Sequence, residues 1–286
     1  MAWPFAYDVR NMLYEMHMHT PLCRHARGEP EEYAARAQAR GLSGIVVTCH
    51  NPFPDRWEQG SRMYIEQWDE YLQMVERARA AWAGRVDVRL GLEADYFPGH
   101  EPWLEKQLSS AQFHHVLGSV HPQLGSMQQR FFDGDPVKYQ RTYFDLLAQA
   151  AETGLFDTIS HPDLVKNIHP DHWDVQRVMP DIQRALDRIA RTGVAMELNT
   201  SGLEKAISEM NPGPQMLREM RLREIPVVIG SDAHVPHRVA DRFEQAMDLL
   251  EAAGYTQISF FLDRQRRTVS IAEARASLIP DPAPAQ

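Results

Sequence analysis

The sequence predicts an α/β fold in which parallel strands close into a barrel. Two observations predict it. Seven short apolar strands are separated by stretches long enough for crossover helices, which parallel pairing requires, and their number and even spacing favour closure over an open sheet. Nearly every one of these strands also ends in a histidine or a carboxylate, the placement expected at the C-terminal rim where α/β barrels build their sites.

The first strand, 13–18, runs into His17 and His19. Residues two apart on a strand share a face, so both imidazoles point the same way, with His25 on the loop beyond. A helix opens at Pro30-Glu31-Glu32, where proline and acids suit the first turn, and Gly41 ends it. The strand 42–48 leads directly to Cys49 and His50. A long helix is expected over 61–83, with Tyr64, Trp68, Tyr71, Leu72 and Val75 at helical spacing. The strand 86–92 ends in Glu93, and 115–120 ends in His121. A helix over 137–153 carries Tyr139, Tyr143, Leu146, Leu147 and Ala150 and stops at Gly154. Residues 156–160 lead to His161. A helix over 179–191 is followed, after Gly193, by the strand 194–199, and the strand 227–231 ends in Asp232-Ala233-His234. Beyond His237 one more helix is expected, with a further strand at 258–261. No repeat, linker or composition break divides 1–279, which reads as one domain, and 280–286 reads as a frayed tail.

Composition narrows the function classes. The 286 residues are 43% hydrophobic and 24% charged, as in an ordinary soluble enzyme. A net charge of −9 argues against a nucleic-acid partner, which usually calls for a basic face. Anionic substrates remain compatible, because bound divalent ions reverse the local field. Two cysteines make no disulfide framework, and no run approaches about 18 consecutive apolar residues. A soluble cytoplasmic protein with no membrane partner is expected, and assembly of identical copies is left open.

The chemistry lies in the rim residues taken together. In a chain with 13 histidines an isolated His-x-His is weak evidence. The coincidence across independent strands is what points to metal: His17, His19, His25, His50, Glu93, His121, His161, Asp232 and His234. Nine donors exceed what one ion takes, and three ions sharing bridging carboxylates would account for all of them. Mixed nitrogen and oxygen donors suit zinc, iron or manganese better than calcium. Single histidines elsewhere (His100, His114, His115, His169, His172 and His237) are better read as structural, and Cys49 and Cys23 as packing residues.

Seven pieces carry a resemblance: His17-Met18-His19-Thr20-Pro21-Leu22-Cys23-Arg24-His25, Thr48-Cys49-His50, Gly91-Leu92-Glu93-Ala94-Asp95-Tyr96, Gly118-Ser119-Val120-His121, Ser160-His161-Pro162-Asp163-Leu164, Asn199-Thr200-Ser201-Gly202 and Gly230-Ser231-Asp232-Ala233-His234. In this order the chain resembles the PHP (polymerase and histidinol phosphatase) family, in its histidinol-phosphatase branch. The resemblance implies a distorted (β/α)7 barrel with three divalent ions. One ion would take His17, His19, Glu93 and Asp232. A second would take His25, His50 and His234, and a third Glu93, His121 and His161. It implies hydrolysis of a small-molecule phosphate ester, typically L-histidinol phosphate in the penultimate stage of histidine biosynthesis. A metal-activated hydroxide would be the nucleophile, and Asp232 and His234 are the candidates for proton handling.

Lys166, just beyond His161, is a candidate for holding the phosphate. Family members often carry an arginine after Asn-Thr-(Ser/Ala)-Gly-Leu, where this chain has Glu204 and then Lys205. That departure leaves the ester open, with Lys205 and Arg130, in a specificity loop over 128–133, as replacement charges. Alternatives are an enzyme of the same family directed at nucleotides, sugar phosphates or phosphodiesters, an amidohydrolase, and a scaffold without activity.

Overall fold

The computed structural model describes residues 13–54 and 57–281. Their nine strands form one sheet in chain order: β1 (Tyr14–Glu15), β2 (Gly44–Val47), β3 (Asp87–Asp95), β4 (His115–Ser119), β5 (Thr158–Ile159), β6 (Ala195–Asn199), β7 (Val227–Gly230), β8 (Gln257–Leu262) and β9 (Gln265–Ser270). Pairing is parallel from β1 to β8, and β8 and β9 form an antiparallel hairpin. Ile45, Val46 and Val47 of β2 are fully buried, as expected for strands covered on both faces.

The connecting helices are α1 (Pro30–Ala39), α2 (Trp68–Trp82), α3 (Glu101–Leu108), α4 (Gly125–Phe131), α5 (Pro136–Glu152), α6 (Val175–Thr192), α7 (Pro214–Leu222), α8 (Phe243–Ala253) and α9 (Ile271–Ser277). Local chemistry sets their ends. The Asp135 side chain accepts hydrogen bonds from the Val137 and Lys138 amides to start α5, and Asp174 caps α6 through Gln176. Gly193, at φ +76°, stops α6 in the left-handed conformation that glycine adopts without strain. The helix expected from 61 begins only at Trp68. It follows a 3-10 turn, where the Gln67 side chain accepts a hydrogen bond from the Tyr64 amide. The specificity loop expected at 128–133 is largely helix α4.

The seven expected strands stand in their expected places, but their sheet does not close by a continuous ladder. β1 and β9 are its edges. The gap beside β1 is spanned at the rim by one parallel bridge between Met18 and Ala233. Deeper down, the buried Glu15 carboxylate accepts from the amide and hydroxyl of Ser231 and from the Ala240 amide. Tyr14 stacks on Phe260 of β8, with ring centroids 5.5 Å apart. Side chains thus join edges that backbone pairing leaves open, and the strand ends converge. Of the expected tail, Asp281 pairs with Arg36 and Arg40, and 282–286 lie outside the described residues. Among the described residues no helix is long and apolar enough to cross a membrane.

Candidate metal centre

Parallel strands present their C-terminal ends to one rim, and the nine sequence candidates meet there. Glu93 is the hub. Its Oε1 lies 2.9 Å from His161 Nε2 and 3.3 Å from His121 Nε2. Its Oε2 lies 2.6 Å from His50 Nδ1, 3.5 Å from His17 Nε2 and 3.6 Å from His19 Nε2. Asp232 Oδ1 stands 3.0 Å from His19 Nε2 and 3.6 Å from His17 Nε2. His234 stacks against His19 and His25, with centroids 4.0 and 4.6 Å away.

Whether these residues suit metal ions is decided by where their lone pairs go. His17 donates Nδ1–H to Glu197 (2.7 Å), His25 to the Cys23 carbonyl (2.7 Å), His121 to Asp95 (2.5 Å) and His234 to the Asp232 carbonyl (2.9 Å). Fixing the proton on Nδ1 leaves Nε2 as a lone-pair donor, as metal-ligating histidines require. Of the buried atoms, His17 Nε2, His19 Nδ1 and His234 Nε2 have no hydrogen-bond partner, and the 2.6 Å approach of His50 Nδ1 to Glu93 Oε2 is an ion-pair contact without hydrogen-bond alignment. Orphaned buried polar atoms cost about 1–3 kcal/mol each, so so many at one rim fit positions shaped for cations. Groups such as His17, His19 and Asp232, or His19, His50 and His234, bring their donor atoms within 4.8 Å of one another. His19 lies between the first and second ligand sets that the resemblance implies.

The electrostatics match. Burial works to raise the Glu93 and Asp232 carboxyls, but the surrounding imidazoles, His50 and His121 for Glu93 and His17 and His19 for Asp232, hold both well below the usual range. Burial would push His17 down, yet Glu197, Asp232 and Glu93 hold it well above its ordinary value, so this acidic surround favours a cation at Nε2, a proton that a metal ion would displace. For His234 burial prevails, helped by His19, and takes it to about 3. His161 and Asp232 have positive φ, 24° and 52°, and such strain in residues other than glycine gathers at functional sites.

Supporting residues were not anticipated from sequence. Glu197, fully buried in β6, also accepts from the His161 amide (2.8 Å) and from Asn199. Asp95 is clamped by both arms of the buried Arg62 (2.6 and 3.0 Å) while it holds His121. Ser119 donates to Glu93 Oε1 at 2.7 Å. A carboxylate inside an otherwise apolar strand was the available signal for Glu15 and Glu197, because burying one without partners is costly.

A cavity of about 450 Å³ opens on the centre, lined among others by His25, His50, Ser201, Glu204, Lys205 and Arg238. Lys205 donates to Ser201 Oγ (2.5 Å) and lies 4.0 Å from Asp232 Oδ2. Lys166 is elsewhere: fully buried, its Nζ donates to Asp163 and to the Met210 carbonyl (2.9 Å each). The turn at Leu164–Asn167 carries it inward, so the expected phosphate contact is corrected to a structural ion pair. Arg130 also lies away from the centre, against Phe97 and Phe131 and bonded to the Pro98 carbonyl. The six histidines read as structural do not line the cavity. The thiols of Cys23 and Cys49 are buried, and both lie within 4.8 Å of a His19 ring nitrogen, closer to the centre than packing residues need be.

The family model described as the PHP domain matches residues 15–201. A probable histidinol-phosphatase of Deinococcus radiodurans is 40% identical, across 87% of this chain and 96% of its own length. The histidinol-phosphatase of Bacillus subtilis is 23% identical, across 81% and 97%. The fold is similar to the crystal structure of histidinol phosphate phosphatase from Lactococcus lactis, complexed with zinc, L-histidinol and phosphate. The TM-score is 0.75 and the identity 19%, across 89% of this chain and 98% of that one.

Proposed function

The chain belongs to the PHP domain family, in its histidinol-phosphatase branch, and on that premise we propose that it hydrolyses L-histidinol phosphate to L-histidinol and inorganic phosphate. The observation that carries this reading is the set of buried donor atoms without partners around Glu93 and His19, at the floor of a cavity with cationic side chains. Three divalent ions, manganese, iron or zinc, are the proposed complement of its nine donors. When bound, such ions make water nucleophilic at neutral pH and offset the negative charge of a phosphoryl group.

The protein supplies orientation and protons. Glu197, Asp95 and the two backbone carbonyls keep the imidazoles in the ligating tautomer. Lys205 brings positive charge to the cavity and is proposed to draw the phosphate in. Asp232, held ionised, is the proposed proton acceptor at Oδ2, which Ser201 fixes at 3.1 Å. His234, with its Nδ1 proton held by the Asp232 carbonyl, presents Nε2 as a metal donor and is a ligand rather than an acid.

The test is a panel of phosphomonoesters, histidinol phosphate included, together with bis-p-nitrophenyl phosphate, on protein whose metals have been quantified. Preferred turnover of histidinol phosphate is expected. Metal-replete protein that ignores it while cleaving other esters would overturn the substrate assignment.

A further inference from the structure

Glu204 stands where an arginine was expected, and an acid at a phosphate site is unfavourable unless its charge is met. In the fold it is met. Arg238, at the end of the 3-10 turn Pro236–Arg238, pairs through Nη1 with Glu204 Oε2, and both residues line the cavity above the metal centre. A second acid, Asp241, lies 3.2 Å from Nη2. Holding Nη1 leaves the Nε–Nη2 edge, the fork that meets two phosphate oxygens at once. Both atoms of that edge are shielded from solvent; Nε has no partner, and Nη2 has no aligned hydrogen bond beyond its ion pair with Asp241. Lys205, on the same rim, is already engaged by Ser201 and Asp232.

We propose that Arg238, anchored by Glu204, is the phosphate-gripping and specificity-determining residue of this chain, standing in from a different segment for the arginine missing at position 204. Glu204 is then an anchor that orients the guanidinium, and a phosphate entering the cavity accepts hydrogen bonds from Nε and, in exchange for Asp241, from Nη2 as the side chain turns about that anchor. The inference rests on the phosphomonoesterase reading above.

The test uses the metal-loaded enzyme with two probes: steady-state turnover of the best phosphomonoester, and binding of inorganic phosphate by calorimetry. Arg238→Ala should raise KM and weaken phosphate binding at least tenfold, with a smaller loss in kcat, and Arg238→Lys should recover only part. The double variant Glu204→Arg/Arg238→Ala, which returns a guanidinium to the other side of the cavity, should regain phosphate affinity over Arg238→Ala alone. Unchanged KM and phosphate affinity in Arg238→Ala and Arg238→Lys would overturn the proposal, as would a double variant no better than the single one. If histidinol phosphate is not a substrate but Arg238→Ala still loses phosphate, the substrate assignment fails and this inference stands.

Discussion

Glutamine in place of Glu197 is the sharpest test of how the centre is held. The carboxylate accepts three hydrogen bonds: His17 Nδ1 on Oε1, and the His161 amide and Asn199 Nδ2 on Oε2. Glutamine has the same shape but one acceptor oxygen. With that oxygen toward His161 and Asn199, the amide nitrogen faces His17 Nδ1 at about 2.7 Å, two donors in opposition. His17 must then give up that bond or move its proton to Nε2, the atom proposed to bind metal. The opposite orientation leaves two donors unpaired and is worse. Losing one charge-assisted bond in a buried place costs about 1.5–3 kcal/mol, roughly a 10–100-fold loss in metal affinity. Competitive metal titration, metal content after dialysis and kcat/KM should all show it. The melting temperature of metal-free protein should change far less, since the fold does not depend on the His17 tautomer. Wild-type metal affinity and turnover in a folded Glu197→Gln variant would refute the role assigned to Glu197.

Two further outcomes follow from packing and burial. A Cβ at Gly230 would collide with Glu197 Oε1 and lie 2.7 Å from His17 Cβ, so Gly230→Ala should lower metal content and cut activity at least tenfold; full metal stoichiometry by elemental analysis would contradict this. His115 is fully buried, bonded to Thr158 (2.9 Å) and stacked on Phe261, and burial takes its pKa from 6.5 to about 3. Its folded pKa lies below the unfolded one, so its contribution is complete above about pH 7 and is lost as pH falls from 6.5 toward 3, up to roughly 4–5 kcal/mol. Denaturant unfolding at several pH values should therefore show a shallower acid loss for His115→Gln than for wild type, and parallel curves would contradict it.

The strands were legible because parallel sheets bury both faces and so read as apolar runs closed by polar rim residues. Helix α5 was legible from its periodicity and Gly154, and α6 from Gly193 at its end, while its first turn from Val175 was not. The missed helices α3, α4, α7 and α9 are short, seven to nine residues, and too brief for a clear period. Strand β9 exposes its first four residues and has no alternation to detect. The incomplete ladder was also out of reach, since it depends on how Tyr14 and Glu15 meet residues more than 200 positions away.

The candidate site divides along the same line. A candidate metal donor at a strand end is placed by the strand's own period, so eight of the nine could be named from local sequence, with His25 added from the loop after β1, and all nine converge on one rim. Cations for the substrate lie on irregular segments between elements, where proximity in sequence says little about direction. Lys166, five residues after His161, turns inward to Asp163, while Arg238, four after His234, turns to Glu204 across the cavity. Both are basic residues just past a rim histidine, and what separates them is which acid lies within reach: the first is consumed inside the core, and the second is held at the cavity by Glu204 and Asp241 with its Nε unbonded. The unexpected acid at position 204 was therefore informative as half of a pair whose other half lies 34 residues on, and a departure from an expected charge at a rim is best followed by a search for its complement on a neighbouring loop.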